Sequence, residues 1–308
     1  MQKAWILRFG EIGLKSKVVR RQFTRALTTN MKAQFSAAKI PIIKDRIETM
    51  DVVTSTSATE DVEDLLCHVL GVVAIDPAEL ISDILDPDFV AAEILSRDQD
   101  IGKKRTFGVR VRRIGPKGEW NSQSYSSAIG SSMYSRDNNL KVNLTNPDMW
   151  VRLVLGPHNV WLMGERIEGA GGLPPGVQGN VLSRIKDEES LLSAFLIMRR
   201  GSRIIPVDGS ETQFVDLLKK WDPFLGTYST ENSVTGGKRK RHPWGVVGIS
   251  LEEGESLIER RESDVKTVPL STLEPLCGWT NKEKESLSQH VRNPSNYTCM
   301  PDIEGWVS

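Results

Sequence analysis

The chain has 308 residues, 39% hydrophobic and 26% charged, with a formal net charge of zero. That length allows two or three domains, each with its own core, and the composition excludes a disordered or collagen-like chain. No run reaches the roughly 18–20 apolar residues of a membrane span, and the first residues lack the apolar region and cleavage site of a signal peptide, so a cytoplasmic location is expected.

The charges are unevenly distributed. Residues 1–50 hold eleven Lys and Arg against Glu11, Asp45 and Glu48, whereas Arg97 is the only basic residue in 51–100. Basic residues return at Lys103, Lys104, Arg105, Arg110, Arg112, Arg113 and Lys117. Such asymmetry suggests separate faces, one of them suited to a phosphate backbone; solvated surface charge is the alternative. Cys67, Cys277 and Cys299 form no Cys-x-x-Cys pair, and the four histidines have no ligand spacing. No metal site is expected.

In chain order, residues 4–9 read as a strand and Ser16 as the N-cap of a helix reaching Ala38. Val19, Phe23, Leu27, Met31 and Phe35 give that helix an apolar stripe, repeating every four residues. Strands at 40–44 and 49–54, a helix at 59–70 stopped by Gly71 and a strand at 72–75 complete a ferredoxin-like order. A helix at 89–96 precedes a strand at 106–114, in which Phe107, Val109 and Val111 alternate with Arg110 and Arg112. A Ser-rich helix at 122–134 follows, with strands at 141–144, 150–155 and 159–165. Residues 168–179 read as a Gly/Pro linker and hinge. Beyond it, strands at 180–185, 203–207, 245–249 and 267–270 and helices at 190–200 and 214–221 indicate an α/β layer with a mainly parallel sheet. Residues 227–242 read as a polar loop ending in Lys238-Arg239-Lys240-Arg241, and no periodicity is seen after Asn293.

Four segments resemble one family in the correct order. Leu7-Arg8-Phe9-Gly10-Glu11-Ile12-Gly13-Leu14-Lys15-Ser16 resembles the opening of tRNA 4-thiouridine synthetases, the ThiI-like sulfurtransferases often labelled as thiamine-biosynthesis proteins. Residues 107–113 look like the strand of their THUMP domain, 142–148 through 164–167 are similar to that domain's end, and 169–179 resemble the link to a nucleotide-binding domain. The resemblance implies a ferredoxin-like domain at 1–58, a THUMP RNA-binding domain at 59–167, the linker at 168–179 and a reduced Rossmann-like domain of PP-loop type at 180–308. It implies tRNA as partner, and leaves room for a separate catalytic or sulfur-transfer protein and for a homodimer.

The family's PP-loop reads Ser-Gly-Gly-x-Asp-Ser between strand and helix. Here Lys186-Asp187-Glu188-Glu189-Ser190 stands in its place, without glycine. Backbone N–H groups cradle a phosphate most readily where glycines allow close approach, and three carboxylates there repel a triphosphate. Ile185, Lys186 and Ser190 are therefore the remnant nucleotide-site candidates. ATP and Mg are expected only if this domain is still competent, and an RNA-binding protein without its own adenylation site is expected ahead of an active tRNA sulfurtransferase. A role in thiamine thiazole assembly is a weaker option. Candidate RNA contacts are Lys15, Lys17, Arg20, Arg21, Arg110, Arg112, Arg113 and Lys117. A charged edge strand would account for the arginines without RNA. Cys277 invites a sulfur-carrying role, although a lone cysteine is more often a small buried hydrophobe. Trp244 and Trp279 could stack on a base, with core packing the simpler assignment.

Overall fold

The computed structural model describes residues 3–226, 243–258 and 270–297. The loop at 227–242 with Lys238–Arg241, residues 267–269 of the expected last strand, and Cys299 lie outside the described residues.

Strand β1 (Lys3–Phe9) leads through a 3₁₀ turn to helix α1 (Lys17–Ala37), strands β2 (Ile43–Ile47) and β3 (Met50–Ser55), helix α2 (Thr59–Cys67) and strand β4 (Val72–Ser82). Then come α3 (Pro87–Ser96), β5 (Arg105–Arg113), α4 (Ser122–Arg136), β6 (Leu140–Val142), β7 (Met149–Leu155), β8 (Val160–Met163) and β9 (Ile167–Glu168). These strands form one sheet in the order β2-β3-β1-β4-β8-β7-β5-β6, with β9 beside β4. The last part holds β10 (Asn180–Ser183), α5 (Glu188–Arg199), β11 (Arg203–Pro206), α6 (Thr212–Lys219), β12 (Gly245–Val247), α7 (Leu251–Ser256), β13 (Ser271–Thr272) and α8 (Asn281–Arg292). Its four strands are all parallel, in the order β11-β10-β12-β13. The order β2-β3-β1-β4 with α1 and α2 between strands is ferredoxin-like, and the last four strands form a reduced Rossmann-like layer. Strand β4 runs seven residues beyond its expected end at 75, because Pro77–Ser82 continues into pairing with β8. Helices α7 and α8 were not anticipated.

The chain packs as two compact units. One comprises the described residues up to Leu7, Ile42–Thr56 and Ile75–Ile167; the other comprises Arg8–Pro41, Ser57–Ala74 and the described residues from Glu168 on. In the first, α3 and α4 cover one sheet face through Val90, Ile94, Tyr125, Ile129 and Met133, which meet Phe107, Val151, Leu153 and Leu155. A second core on the sheet joins Ala4, Ile6, Met50, Val52, Val154 and Trp161.

In the second unit, Trp221, Phe195, Leu191, Met198, Leu287 and Val291 form the largest core. The stripe of α1 holds: Phe23, Leu27, Met31 and Phe35 are buried, with Val19 partly so. Asn30 and Gln34 are buried with them. Buried amides need partners: Asn30 Nδ2 donates to Pro175 O (3.1 Å), and Gln34 Nε2 donates to Lys220 O (2.8 Å), His68 O (3.1 Å) and Trp221 O (3.2 Å). Ser16 stands at the N-cap of α1, but its side chain makes no capping bond.

Segment 168–179 is packed rather than a free hinge. Ala170, Leu173, Pro174 and Pro175 are buried. Gly171 O accepts from Gly71 N–H, and the N–H groups of Leu173 and Gln178 donate to Arg199 O and Gly201 O. Gly172 has φ +70°, and a Cβ there would stand 2.3 Å from Arg199 O. Only glycine combines that backbone with that approach.

Candidate nucleic-acid interface and phosphate loop

The cations of α1 sit where the helix dipole disfavours them. The first turn has no acidic residue, and positive charge near an N-terminus costs stability. Lys17, Arg20 and Arg21 are exposed, Lys15 is half-exposed, and none of the four forms an ion pair with a described residue. They belong to the second compact unit, whereas Arg110, Arg112, Arg113 and Lys117 belong to the first. The eight candidates are thus two groups, each local to its unit.

Strand β5 positions the second group. It pairs in parallel with β7 over Phe107–Arg113, but with β6 only over Arg105–Phe107. Beyond residue 107 its other edge carries no strand among the described residues, so the charged-edge reading keeps force for that stretch. Phe107 is buried and Val109 and Val111 partly so, while Arg110 and Arg112 are exposed on the opposite face. Lys117 is exposed; Arg113 is half-buried, its guanidinium donating to Pro116 O. The basic run just before them is largely neutralised: Arg105 pairs with Asp98 and Lys103 with Asp100.

The loop before α5 is filled by its own side chains. Asp187 is the N-cap: its Oδ1 accepts from Ser190 N–H (2.9 Å) and from Ser190 Oγ (2.7 Å). Ser190 Oγ accepts in turn from the N–H of Lys186 (2.9 Å) and Asp187 (3.0 Å). Ile185 N–H donates to Ser210 Oγ (3.0 Å). The Ser190 bonds hold the Asp187 carboxyl below the usual carboxylate range. Helix α8 secures the next two acids. Arg292 forks onto both oxygens of Glu188 (2.7 Å each), Ser288 Oγ donates to Glu188 Oε1 (2.5 Å), and Lys284 Nζ meets Glu189 Oε1 (2.5 Å). The Arg292 guanidinium, opposed by partial burial and aided by Ser288, likewise lowers the Glu188 pKa. An anion entering here meets the Asp187, Glu188 and Glu189 carboxylates, and the N–H groups of Ile185, Lys186, Asp187 and Ser190 are already committed, so these residues do not fit a triphosphate in a PP-loop cradle.

Cys277 is exposed in a turn, its N–H donating to Glu274 O, rather than a buried hydrophobe. Cys67 is the buried thiol, and burial pushes its pKa up to about 11. Trp244 and Trp279 pack partly buried against the core of the second unit. Among the described residues no cluster of three or more His, Cys, Asp or Glu is placed to hold a metal, and no helix is long and apolar enough to cross a membrane.

Residues 4–75 match the ThiI ferredoxin-like domain and residues 89–163 match the THUMP domain. A probable tRNA sulfurtransferase of Methanobrevibacter smithii is 31% identical over 214 residues, covering 68% of this chain and 54% of that protein. The chain spans about half the length of the curated relatives it matches. Among solved structures, PH1313 from Pyrococcus horikoshii superposes with TM-score 0.69 at 22% identity, covering 94% of this chain and 99% of that one. A 4-thiouridine synthetase–RNA complex with bound ATP superposes with TM-score 0.63 at 17% identity, covering 94% and 85%. At these identities the two structures establish a shared fold.

Proposed function

We propose that this chain, a relative of the tRNA sulfurtransferases carrying their ferredoxin-like and THUMP domains, binds tRNA and has no adenylation site of its own. The observation that carries the RNA half is the placement of Arg110 and Arg112, exposed together on one sheet face within the segment that matches the THUMP domain. Exposed guanidinium groups on a rigid strand suit phosphate contacts, which give affinity without sequence preference. That a synthetase of the same fold was crystallised with RNA supports RNA as the ligand class.

The second half rests on the filled loop. Asp187 accepts from the Ser190 N–H that a phosphate could otherwise use, and α8 holds the neighbouring acids in ion pairs, which supports this half of the reading. The parallel-sheet unit then acts as a scaffold, or as a docking surface for a separate catalytic or sulfur-transfer protein. Titrating the purified chain with bulk tRNA and with ATP-Mg tests both halves. Binding of tRNA without ATP binding is the expected result. ATP binding accompanied by formation of 4-thiouridine in tRNA would replace this reading with an active sulfurtransferase.

A further inference from the structure

The sheet face turned away from α3 and α4 carries an aromatic residue beside its arginines. Because Phe107, Val151, Leu153 and Leu155 point into the helix-covered core, alternation turns Gly108, Arg110 and Arg112 of β5 and Trp150, Arg152 and Val154 of β7 the other way. Register sets Gly108 beside Trp150, Arg110 beside Arg152 and Arg112 beside Val154. Arg110, Arg112 and Arg152 are exposed and Trp150 is half-buried. Neither strand contains an acidic residue. Like charges on neighbouring strands destabilise a sheet, and a bound anion would relieve the Arg110–Arg152 pair.

The aromatic geometry narrows the ligand. The guanidinium carbon of Arg110 lies 3.8 Å from the centroid of the Trp150 ring. A Cβ at Gly108 would stand 2.6 Å from Trp150 Cζ3, so the indole occupies the space that a side chain at 108 would need. The result is a layered pair, a supported aromatic plane beneath an exposed planar cation. Guanidinium planes and aromatic rings both stack on nucleobases, and only an unpaired base offers its face, since duplex bases are already stacked.

We propose that Trp150 and Arg110 form a stacking site for one unpaired RNA base, with Arg112 and Arg152 taking the phosphates that flank it. This deepens the RNA-binding reading and rests on it. The ligand class is single-stranded RNA, recognised without strong base preference because every base has a stacking face.

The test compares Trp150→Leu, Trp150→Phe and Arg152→Gln with the unaltered chain. Each is titrated with a short single-stranded oligoribonucleotide, a blunt-ended RNA duplex, bulk tRNA and polyglutamate. W150L is expected to weaken single-strand binding about tenfold or more, leaving duplex binding and salt dependence unchanged. W150F, which keeps a plane, should stay within about threefold, and R152Q should lower the salt slope by about one phosphate contact. The proposal is overturned if W150L binds the single strand as well as the unaltered chain does, if W150F loses as much as W150L, or if polyglutamate binds as tightly as RNA. If the unaltered chain binds neither single strand nor tRNA, the RNA-binding reading itself has failed; if it binds tRNA while W150L is unaffected, only the stacking site is lost.

Discussion

His68 and His290 flank the Trp221 indole, with ring centroids 4.9 and 5.3 Å away, and both are almost wholly buried. Each sets Nδ1 against a backbone carbonyl, Asp64 O at 2.8 Å and Tyr297 O at 2.7 Å, and each leaves Nε2 without a partner. Desolvation lowers both pKa values; the Asp64 carbonyl and carboxylate oppose this at His68 and Lys220 assists it, while Arg199 and His68 assist it at His290. The unfolded chain therefore binds more protons once pH falls below about 6.5, so stability is retained above that value and lost as pH drops toward the folded pKa values. Urea unfolding at pH 7.5 and 5.5 should show this loss, and the His68→Asn, His290→Asn double variant should reduce it; an equal loss in both would contradict the assignment. Phe23, Leu27, Met31 and Phe35 were legible in sequence because apolar spacing reports one face. Asn30 and Gln34 on the same face were not, because the carbonyls they donate to lie more than 140 residues away, at Pro175, Lys220 and Trp221, or on another element, at His68.

The junction of α5 and α8 shows what local signals can carry. Asp187-Glu188-Glu189-Ser190 forms a capping box, and Asp187→Ala should cost about 1 kcal/mol in chemical denaturation; a neutral result would mean that the loop is not held as described. The Glu188–Arg292 fork leaves both side chains about two-fifths exposed (42% and 41%). A double-mutant cycle should therefore return only about 0.5 kcal/mol, shrinking in salt; a coupling above about 2 kcal/mol would contradict that exposure. The depressed pKa values of Asp187 and Glu188 add stability above the usual carboxylate range, lost as pH falls through their folded values. Helix α8 carries no readable apolar stripe, because Leu287 and Val291 are its only buried aliphatic residues. Its start was nonetheless written as Thr280-Asn281-Lys282-Glu283, a capping box in which Thr280 N–H donates to Glu283 Oε2 at 2.7 Å. Helix α7 likewise begins with Ser250 capping Glu253 N–H.

At the level of the whole chain, the ferredoxin-like order and the change to parallel α/β were readable from alternation, helical stripes and the Gly/Pro segment. Which segments share a compact unit was not. Consecutive elements β1 and α1 fall largely into different units, and residues 168–179 are built into the second one by contacts to Gly71, Asn30 and Arg199. The basic cluster was visible as composition, but the face shared by Arg110 with Trp150 and Arg152 depends on the β5–β7 register. That face is where tRNA binding is expected. The most direct measurement is the salt dependence of tRNA affinity for the unaltered chain and for an Arg110→Gln, Arg112→Gln variant. Binding should be tight at low salt and fall clearly as salt rises, with a slope reduced by about two phosphate contacts in the variant; absence of tRNA binding at low salt, or the same affinity and slope in both proteins, would rule out RNA binding through this face.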